Sequence, residues 1–375
     1  MTSESPTPPA GDATGSPRRS PRKYLAIGAV LVVVAIGAVV VASQSSPSSV
    51  SGGVDVKNLK VGPAVPGLSK AKGWLNTKPL TSADLTGKVV LYDFWTYSCV
   101  NCVRSIPYVR SWYQRYAADG LLVVGVHSPE FDFEKNPSNV AAAVKRLGVD
   151  YPVALDPNMG IWNAFGNQYW PEEWVADKSG HLRYQSIGEG DYTQTENVLR
   201  ELLGVKKSAP RAKPPTAGSL GAPPTQNQAI TQETYLGLER GSVAQPGTMT
   251  YPPLPTVPPN EAGLVGSWDG TDQYVQSTAP GATVVLSYQA RSANLVMSVA
   301  RNTPPVKVVV QLDGQPVPVA DRTAQTQVDA QGQTYVTVST PDLYKLVLSP
   351  AVETHTVRLI AQAPGLQVYS FTFGA

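Results

Sequence analysis

The chain has 375 residues, more than one compact domain usually needs, which predicts two domains or one domain with substantial appendages. Its 30 Lys and Arg residues against 28 Asp and Glu residues give a formal net charge of +2 without a long basic tract, so nucleic acid is a poor candidate partner. Two cysteines exclude a disulfide-rich scaffold and a four-cysteine zinc site, and three scattered histidines form no evident metal cluster, so no metal is expected.

The N-terminal sequence predicts a membrane anchor. Residues 1–23 are rich in Ser, Pro, Thr and Gly and end in a basic cluster, which indicates a disordered cytoplasmic tail. At about 1.5 Å per residue, the uncharged apolar stretch 24–43 can cross the roughly 30 Å hydrocarbon core. A cleaved signal peptide is the alternative, although the apolar run is longer than the usual h-region. Residues 44–58 are then expected to form a flexible spacer, and the main body is expected to lie outside the cytoplasm at the cell membrane, as part of a single-pass protein.

Residues 59–205 predict an α/β fold, because apolar runs alternate with segments of helical periodicity. The nearly continuous apolar run 88–95 is typical of a buried parallel strand. The predicted strands are 88–95, 121–126, 151–155, 173–176 and 181–186, and the predicted helices are 103–119, 139–147 and 195–203.

Composition changes after residue 205. Residues 206–262 contain four proline pairs, which predict a linker or a strap that runs over the neighbouring domains. Residues 263–375 show no convincing helix, and short β-rich segments separated by turns predict an antiparallel sandwich. Its predicted strands are 283–288, 294–300, 306–312, 333–339, 344–348, 355–361 and 367–373.

The two cysteines, Cys99 and Cys102, follow the buried strand at the start of a predicted helix. The unpaired N–H groups and positive dipole end of a helix N-terminus favour thiolate over thiol at Cys99. Cys102 is close enough to attack a mixed disulfide on Cys99, so we expect Cys99 to be the nucleophile and Cys102 the resolving thiol. The alternatives are half of a zinc site, which lacks two further ligands, and an inert structural disulfide, which would close too short a loop to gain much stability. No cofactor beyond the redox-active disulfide Cys99–Cys102 is expected.

The residues around the cysteines resemble a known family. Residues 90–95 (VLYDFW) resemble the strand that leads into the active site of thioredoxins, and residues 95–102 (WTYSCVNC) are similar to the thioredoxin-like domain of the extracytoplasmic DipZ group. Residues 169–171 (YWP) match the cis-proline site of the family, and residues 368–374 (VYSFTFG) resemble the β domain appended in the DipZ group. The resemblance implies a thioredoxin fold, with a central mixed sheet flanked by helices, and a jelly-roll or carbohydrate-binding-like C-terminal sandwich.

The resemblance also implies two acidic site residues. Asp93 occupies the position of the buried acid of thioredoxins, where a carboxylate near Cys102 could take its proton during resolution. Glu130 resembles the acidic residue that TlpA-like reductases place near their cysteines. The alternatives are a strand carboxylate satisfied by the backbone for Asp93 and a solvated loop carboxylate for Glu130.

A substrate groove is implied beside the cysteines. Pro171 is expected to be cis and to expose the adjacent backbone for pairing with an extended substrate, with an ordinary trans turn proline as the alternative. Trp95, Tyr97 and Trp170 are expected to bind substrate along this groove, with plain core packing as the alternative.

Two departures from the family pattern affect the expected partners. Ser98 replaces the Trp that thioredoxins place before the first cysteine, and no multi-helix electron-transfer domain precedes the redox domain, in contrast to full-length members of the DipZ group. A separate membrane electron donor is therefore expected. Because TlpA-like and DipZ-like proteins are associated with reductive work such as apocytochrome c maturation, the resemblance implies reduction of disulfides in envelope proteins.

Two other functions stay open. Residues 96–99 (TYSC) satisfy the T-x-x-C fragment of peroxiredoxins, but Tyr92 stands where that family has a proline, so a thiol peroxidase is a weak alternative. The C-terminal domain could instead be the working part, as an adaptor that binds envelope glycans or proteins. One hypothesis is that four of its residues form a sugar-stacking loop, and the alternative is that they have turn and core roles. These residues are Trp268, Asp269, Asp272 and Tyr274.

Overall fold

The computed structural model describes residues 55–213, here named the N-terminal region, and residues 229–375, here named the C-terminal region. In these two ranges no helix has the length and apolar character needed to cross a membrane. Three predicted segments lie wholly or mostly outside the described residues: the tail 1–23, the anchor 24–43 and the spacer 44–58. The membrane anchor therefore stays a prediction.

The N-terminal region is an α/β layer structure, as the sequence predicted. Its strands are β1 (Gly73–Leu75), β2 (Val89–Trp95), β3 (Leu121–His127), β4 (Val153–Leu155), β5 (Glu172–Ala176) and β6 (Leu182–Ile187). Its helices are α1 (Ser82–Leu85), α2 (Val100–Tyr116), α3 (Pro137–Leu147), α4 (Gly160–Phe165) and α5 (Tyr192–Leu203).

The six strands form one mixed sheet in the order β1-β4-β3-β2-β5-β6. Strand β3 pairs in parallel with both β2 and β4, whereas β5 and β6 join antiparallel. Successive side chains of a strand point to opposite faces, so the fully buried β2 serves two cores. Leu91 packs with α2, α3 and α5 on one face, and Tyr92 packs with α4 on the other. The mixed sheet with helices on both faces confirms the expected thioredoxin-like fold.

Local capping sets the helix boundaries. The Asn136 side chain accepts the N–H of Ser138 at 2.9 Å, Pro137 occupies the first turn of α3, and Gly148 ends the helix with a φ of 68°. Helix α2 begins at Val100 rather than at the predicted residue 103, because Cys99 is its N-cap. The apolar periodicity of α2 starts one turn after the cap and therefore concealed the true start.

The C-terminal region is all-β, as the sequence predicted. Its strands are β7 (Thr234–Tyr235), β8 (Gly247–Tyr251), β9 (Ala262–Gly270), β10 (Val275–Ser277), β11 (Thr283–Val299), β12 (Val306–Leu312), β13 (Gln315–Pro316), β14 (Gln327–Val328), β15 (Thr334–Val338), β16 (Asp342–Ala361) and β17 (Leu366–Gly374). Among the described residues these eleven strands are hydrogen-bonded into one sheet, with β16, β11 and β17 at its centre. The two layers of the predicted sandwich are therefore not separate sheets.

Two long strands correct the predicted strand boundaries. The predicted strands 283–288 and 294–300 both belong to the 17-residue β11, and the predicted strands 344–348 and 355–361 both belong to the 20-residue β16. An irregularity in the pairing near Ser292 lets β11 continue through its polar middle. A polar stretch in the sequence thus marks a bulge here and not a turn.

The proline-rich segment 206–262 also differs from its prediction as a linker or strap. In its described part, β7 pairs with β17 and β8 pairs with β9, so both strands belong to the C-terminal sheet. The stretch between Pro246 and Pro252 contains no proline, which leaves every N–H of β8 able to join the ladder. The remaining residues of the segment, 214–228, lie outside the described residues.

The two regions share a small apolar core. It consists of buried side chains from both: Val100, Phe131, Val296, Leu343 and Tyr369. The rings of Phe131 and Tyr369 meet edge to face, with centroids 5.0 Å apart. An ion pair between Arg146 Nη2 and Asp342 Oδ1, at 2.7 Å, adds a polar contact across the same boundary. The C-terminal region is therefore packed directly against the loop and helix that follow the strands β3 and β2.

Phe131→Ala is expected to lower the free energy of unfolding by about 3–5 kcal/mol, because it empties a site in this shared core that is only 1% exposed. Denaturant titration of the full chain measures the loss. Arg110→Ala, which removes an exposed ion pair with Asp150, serves as the control and should cost about 1 kcal/mol or less. Equal small losses for both variants would mean that Phe131 contributes little to holding the regions together.

Candidate active site

Cys99 lies at the N-terminus of α2, where the sequence predicted a nucleophile. It is half-buried, and its Sγ accepts the backbone N–H of Cys102 at 3.3 Å, as an N-cap side chain does. Its thiol donates to the backbone carbonyl of Trp170 at 3.7 Å. Both cysteines are free thiols in this structure. The helix N-terminus thus directs a backbone N–H at Cys99 Sγ, which is the sulfur that a partner can reach.

Cys102 is fully buried one turn into α2. Burial raises the pKa of its thiol well above the usual value, and the hydrogen bond and charge of Cys99, together with the charge of Asp93, act in the same direction. A buried, protonated thiol cannot meet a large partner. Its position suits it for an internal attack on a disulfide that has formed at Cys99.

Asp93 lies in β2, the strand that leads to the cysteines, and is fully buried. The Tyr151 hydroxyl donates to Oδ2 at 3.2 Å, whereas Oδ1 accepts no hydrogen bond from any described residue. Burial raises the pKa of Asp93 to about 7, although the Tyr151 hydrogen bond acts in the opposite direction. The charge of Asp93 acts on the Cys102 thiol, and the expected role of Asp93 as the proton acceptor for that thiol stays a prediction.

A second buried acid, Glu173, was not predicted from the sequence. It lies directly opposite Asp93 in the antiparallel pair of β2 and β5, so their Cβ atoms are about 4.5–5.5 Å apart on one face. Burial, and then the charge of Asp93, raise the pKa of Glu173 to about 8. Its Oε2 finds no partner in the described ranges. Two consecutive glutamates directly after Pro171, at the start of an otherwise apolar strand, were the available signal.

Glu134 is a third buried acid, also not predicted from the sequence, and it binds the residue before the nucleophile. Its Oε1 accepts the Ser98 hydroxyl at 2.6 Å and the Ser98 N–H at 3.3 Å, while Oε2 accepts the N–H groups of Glu130 and Phe131 at 2.7 and 3.0 Å. Burial, with the charge of Glu130 as the second cause, raises the pKa of Glu134 to about 7. Ser98, which replaces the Trp of thioredoxins, thus has a specific partner.

Ser98→Ala is expected to lower the free energy of unfolding by about 1.5–3 kcal/mol at pH 8, where Glu134 is ionised and loses a charge-assisted hydrogen bond. Ser105→Ala is the matched control, because that equally buried hydroxyl donates to the neutral carbonyl of Cys102 and should cost about 0.5–1.5 kcal/mol. Since the Ser98 hydroxyl favours the charged form of Glu134, the difference between the variants should shrink at pH 5. A difference that grows towards pH 5 would contradict the assignment.

Trp95 and Tyr97 do not line a substrate groove, so their expected binding role is corrected. They are 0% and 1% exposed, and both pack against the buried His127, with ring centroids 5.1 and 5.7 Å away. Burial lowers the pKa of His127 to about 3, so the imidazole is neutral at physiological pH. The core-packing alternative therefore holds for both residues.

Glu130 binds two side chains of the C-terminal region. Its Oε1 accepts the Tyr235 hydroxyl at 2.9 Å and pairs with Arg240 Nη1 at 2.7 Å, both from the C-terminal region. The Arg240 guanidinium also lies over the Tyr235 ring, 3.9 Å from its centroid. Glu130 thus joins the two regions, and its expected role beside the cysteines stays a prediction.

The Trp170–Pro171 peptide bond is cis, as the resemblance implied. The half-buried Trp170 ring is fixed by its indole N–H, which donates to Ser128 O at 3.0 Å, and its backbone carbonyl faces the Cys99 thiol. Two exposed apolar side chains flank this loop, Tyr169 at 41% and Ile187 at 43%. The loop therefore brings backbone and apolar surface together beside the nucleophile.

The proposed sugar-stacking loop is not formed. Trp268 is 1% exposed on β9, and its indole N–H donates to Val265 O at 2.9 Å, so no ring face is open to a ligand. Tyr274 packs against Tyr369, with ring centroids 5.0 Å apart. Because the inward face of β9 needs an apolar side chain, Trp268 has a core role, and the expectation of a glycan ligand loses its support.

Known families match both regions. Residues 60–203 match the Redoxin family, and residues 231–374 match a family described as the thioredoxin-like C-terminal domain. Protein DipZ of Mycobacterium tuberculosis is 36% identical over 349 residues, which are 90% of this chain and 46% of DipZ. The chain thus spans about half the length of that relative.

Two shorter relatives carry the name thiol-disulfide oxidoreductase. Thiol-disulfide oxidoreductase YkuV of Bacillus subtilis is 30% identical over 146 residues, covering 39% of this chain and 97% of YkuV. Thiol-disulfide oxidoreductase ResA of Bacillus thuringiensis is 30% identical over 128 residues, covering 34% of this chain and 71% of ResA. With nearly all of YkuV matched, and with the Redoxin match spanning both cysteines, this chain belongs to the thioredoxin-like thiol-disulfide oxidoreductases.

Proposed function

We propose that the chain is a membrane-anchored, extracytoplasmic enzyme that reduces disulfides in envelope proteins. The Cys99 thiolate attacks one sulfur of the substrate disulfide, which breaks that bond, forms a mixed disulfide and releases one substrate thiolate. Cys102 then attacks Cys99 Sγ, closes the Cys99–Cys102 disulfide and releases the second substrate thiolate. Two electrons pass to the substrate, and a separate dithiol donor at the membrane must return two electrons to the chain.

The observation that carries this proposal is the unequal exposure of the two sulfurs. Cys99 is half-buried at a helix N-terminus and contacts the cis-proline loop, whereas Cys102 is fully buried with its N–H directed at Cys99 Sγ. Cys99 Sγ can therefore react with a partner, whereas Cys102 Sγ can react only with a disulfide that has already formed at Cys99. Asp93 beside Cys102 supplies the acceptor for the resolving proton.

The resemblance to TlpA-like and DipZ-like proteins supports the reducing direction. Strong oxidants of this kind owe their potential to a stabilised reduced form, in which the thiolate of the accessible cysteine is favoured. Burial and the charge of Asp93 disfavour a thiolate at Cys102, so Cys99 is the sulfur whose stabilisation sets the direction. The names of the relatives specify thiol-disulfide exchange and not its direction.

A glutathione redox titration of the full chain, together with an insulin reduction assay, tests the proposal. We expect a reduction potential nearer to that of thioredoxin, about −270 mV, than to that of DsbA, about −120 mV. A potential close to the second value would overturn the reducing direction and leave disulfide exchange intact. Peroxide consumption that depends on Cys99, without insulin reduction, would favour the peroxidase alternative.

A further inference from the structure

The C-terminal region covers one side of the cysteine motif. Val100, the residue directly after the nucleophile, is 4% exposed because Val296, Leu343 and Tyr369 pack in the same cluster. A partner that approaches Cys99 therefore meets residues of both regions. The C-terminal region is part of the surface around the reactive sulfur.

A cavity of about 350 Å³ opens beside this contact. One wall belongs to the cysteine motif and includes Val100 and Asn101, and the other belongs to the C-terminal region and includes Thr231, Gln232 and Thr372. The volume lies within the range of about 300–1,000 Å³ that is usual for binding sites. The cavity therefore begins one residue from the nucleophile and has a wall from each region.

Both walls are held in place by hydrogen bonds. Arg104 pairs with Glu189 at 2.7 Å, with side chains only 7% and 5% exposed, and its Nη2 donates to Asn101 Oδ1 at 2.6 Å. On the opposite wall, the Thr231 N–H donates to Gln289 O at 2.9 Å, and the Thr231 hydroxyl accepts the Gln289 N–H at 2.7 Å. A cavity with fixed walls loses little conformational freedom when it is filled.

We propose that this cavity binds the polypeptide segment next to the substrate's disulfide, so that the C-terminal region selects which disulfides are reduced. The inference rests on the proposed function. Amide and hydroxyl groups of Asn101, Gln232 and Thr372 line the cavity, and such groups pair with the N–H and C=O groups of an extended chain. A small disulfide needs only Cys99, whereas a protein disulfide carries flanking residues, and in this proposal they occupy the space beside Val100.

Gln232→Trp in the full chain tests the inference, because Gln232 is exposed and a larger side chain there narrows the cavity. Rates are measured for the reduced protein with insulin and with the small aromatic disulfide 5,5′-dithiobis(2-nitrobenzoate). We expect the ratio of the insulin rate to the small-disulfide rate to fall about tenfold. Gln331→Trp, the same change at an exposed turn outside the cavity lining, is the control and should leave the ratio unchanged.

The outcomes separate this inference from the proposed function. A ratio that stays at the wild-type value in Gln232→Trp overturns the cavity as a substrate site, whereas a wild-type chain that reacts with neither disulfide overturns the proposed function itself. A wild-type chain that reduces the small disulfide but not insulin also overturns the cavity inference, and leaves the dithiol chemistry standing. Gln232→Arg, read in the same way, serves if the Trp variant does not fold.

Discussion

Cys99→Ser is expected to reduce disulfide exchange by about a thousandfold or more, because a hydroxyl neither ionises nor attacks sulfur under these conditions. The chain has two cysteines, and the other one is fully buried, so no second thiol can replace the nucleophile. The rate of insulin reduction by the full chain, with a dithiol as electron source, measures the effect. Residual activity above about a tenth of the wild-type rate would contradict the assignment.

Cys102→Ser separates the two roles of the cysteines. Attack by Cys99 still proceeds, but the mixed disulfide has no thiol to resolve it and should accumulate. Non-reducing electrophoresis and mass spectrometry of the full chain, mixed with a disulfide-containing protein, detect the adduct. Cys99→Ser is the matched control and should form none. An adduct on Cys102 in that control would reverse the order of attack and resolution.

Asp93→Asn is expected to raise the free energy of unfolding, relative to the wild type, more at alkaline pH than at acid pH. The pKa of Asp93 is raised from 3.8 to about 7 by burial, so below pH 4 the folded and unfolded states are both protonated and the carboxyl imposes no cost. Between pH 4 and 7 the unfolded state ionises first, and folding becomes less favourable. Asn does not ionise, so the variant should gain about 4 kcal/mol on the wild type between pH 4 and 8.

Denaturant titrations at pH 4 and pH 8 measure this gain, and comparing the two pH values cancels any fixed cost of the buried amide. Glu173→Gln should show the same sign, because its pKa is likewise raised by burial. The burial argument would be contradicted if either variant were more stable, relative to the wild type, at pH 4 than at pH 8. Asp93→Asn should also slow insulin reduction, by about tenfold to a hundredfold, because Cys102 loses its proton acceptor.

The sequence was sufficient for the elements whose signal is local. The apolar run of β2, the helical spacing in α2 and the cysteine spacing all follow from neighbouring residues, and each was predicted close to its observed place. The continuity of β11 and β16 was not, because a polar stretch looks the same in a sequence whether it turns or forms a bulge. Only the cross-strand pairing distinguishes the two cases.

The buried acids of the site show a similar limit. Glu134 and Glu173 are charged residue types that usually lie on the surface, and their burial depends on partners from distant parts of the chain. Ser98 meets Glu134 across 36 positions, and Asp93 meets Glu173 across β2 and β5. Conversely, Trp95 and Tyr97 stand next to the motif in sequence but point into the core. Proximity along the chain was a poor guide to which side chains reach a substrate.

The burial of Cys102 has a kinetic consequence. Since Cys99 is the one cysteine of this chain whose sulfur a partner can touch, the proposed electron donor and protein substrate must react at the same atom. The cover that the C-terminal region places over Val100 narrows the approach to that atom further. The two partners therefore cannot be bound productively together, and turnover must alternate between a loading and an unloading half-reaction. Such a ping-pong cycle gives parallel lines in double-reciprocal plots, and it lets one partner act as a competitive inhibitor of the other.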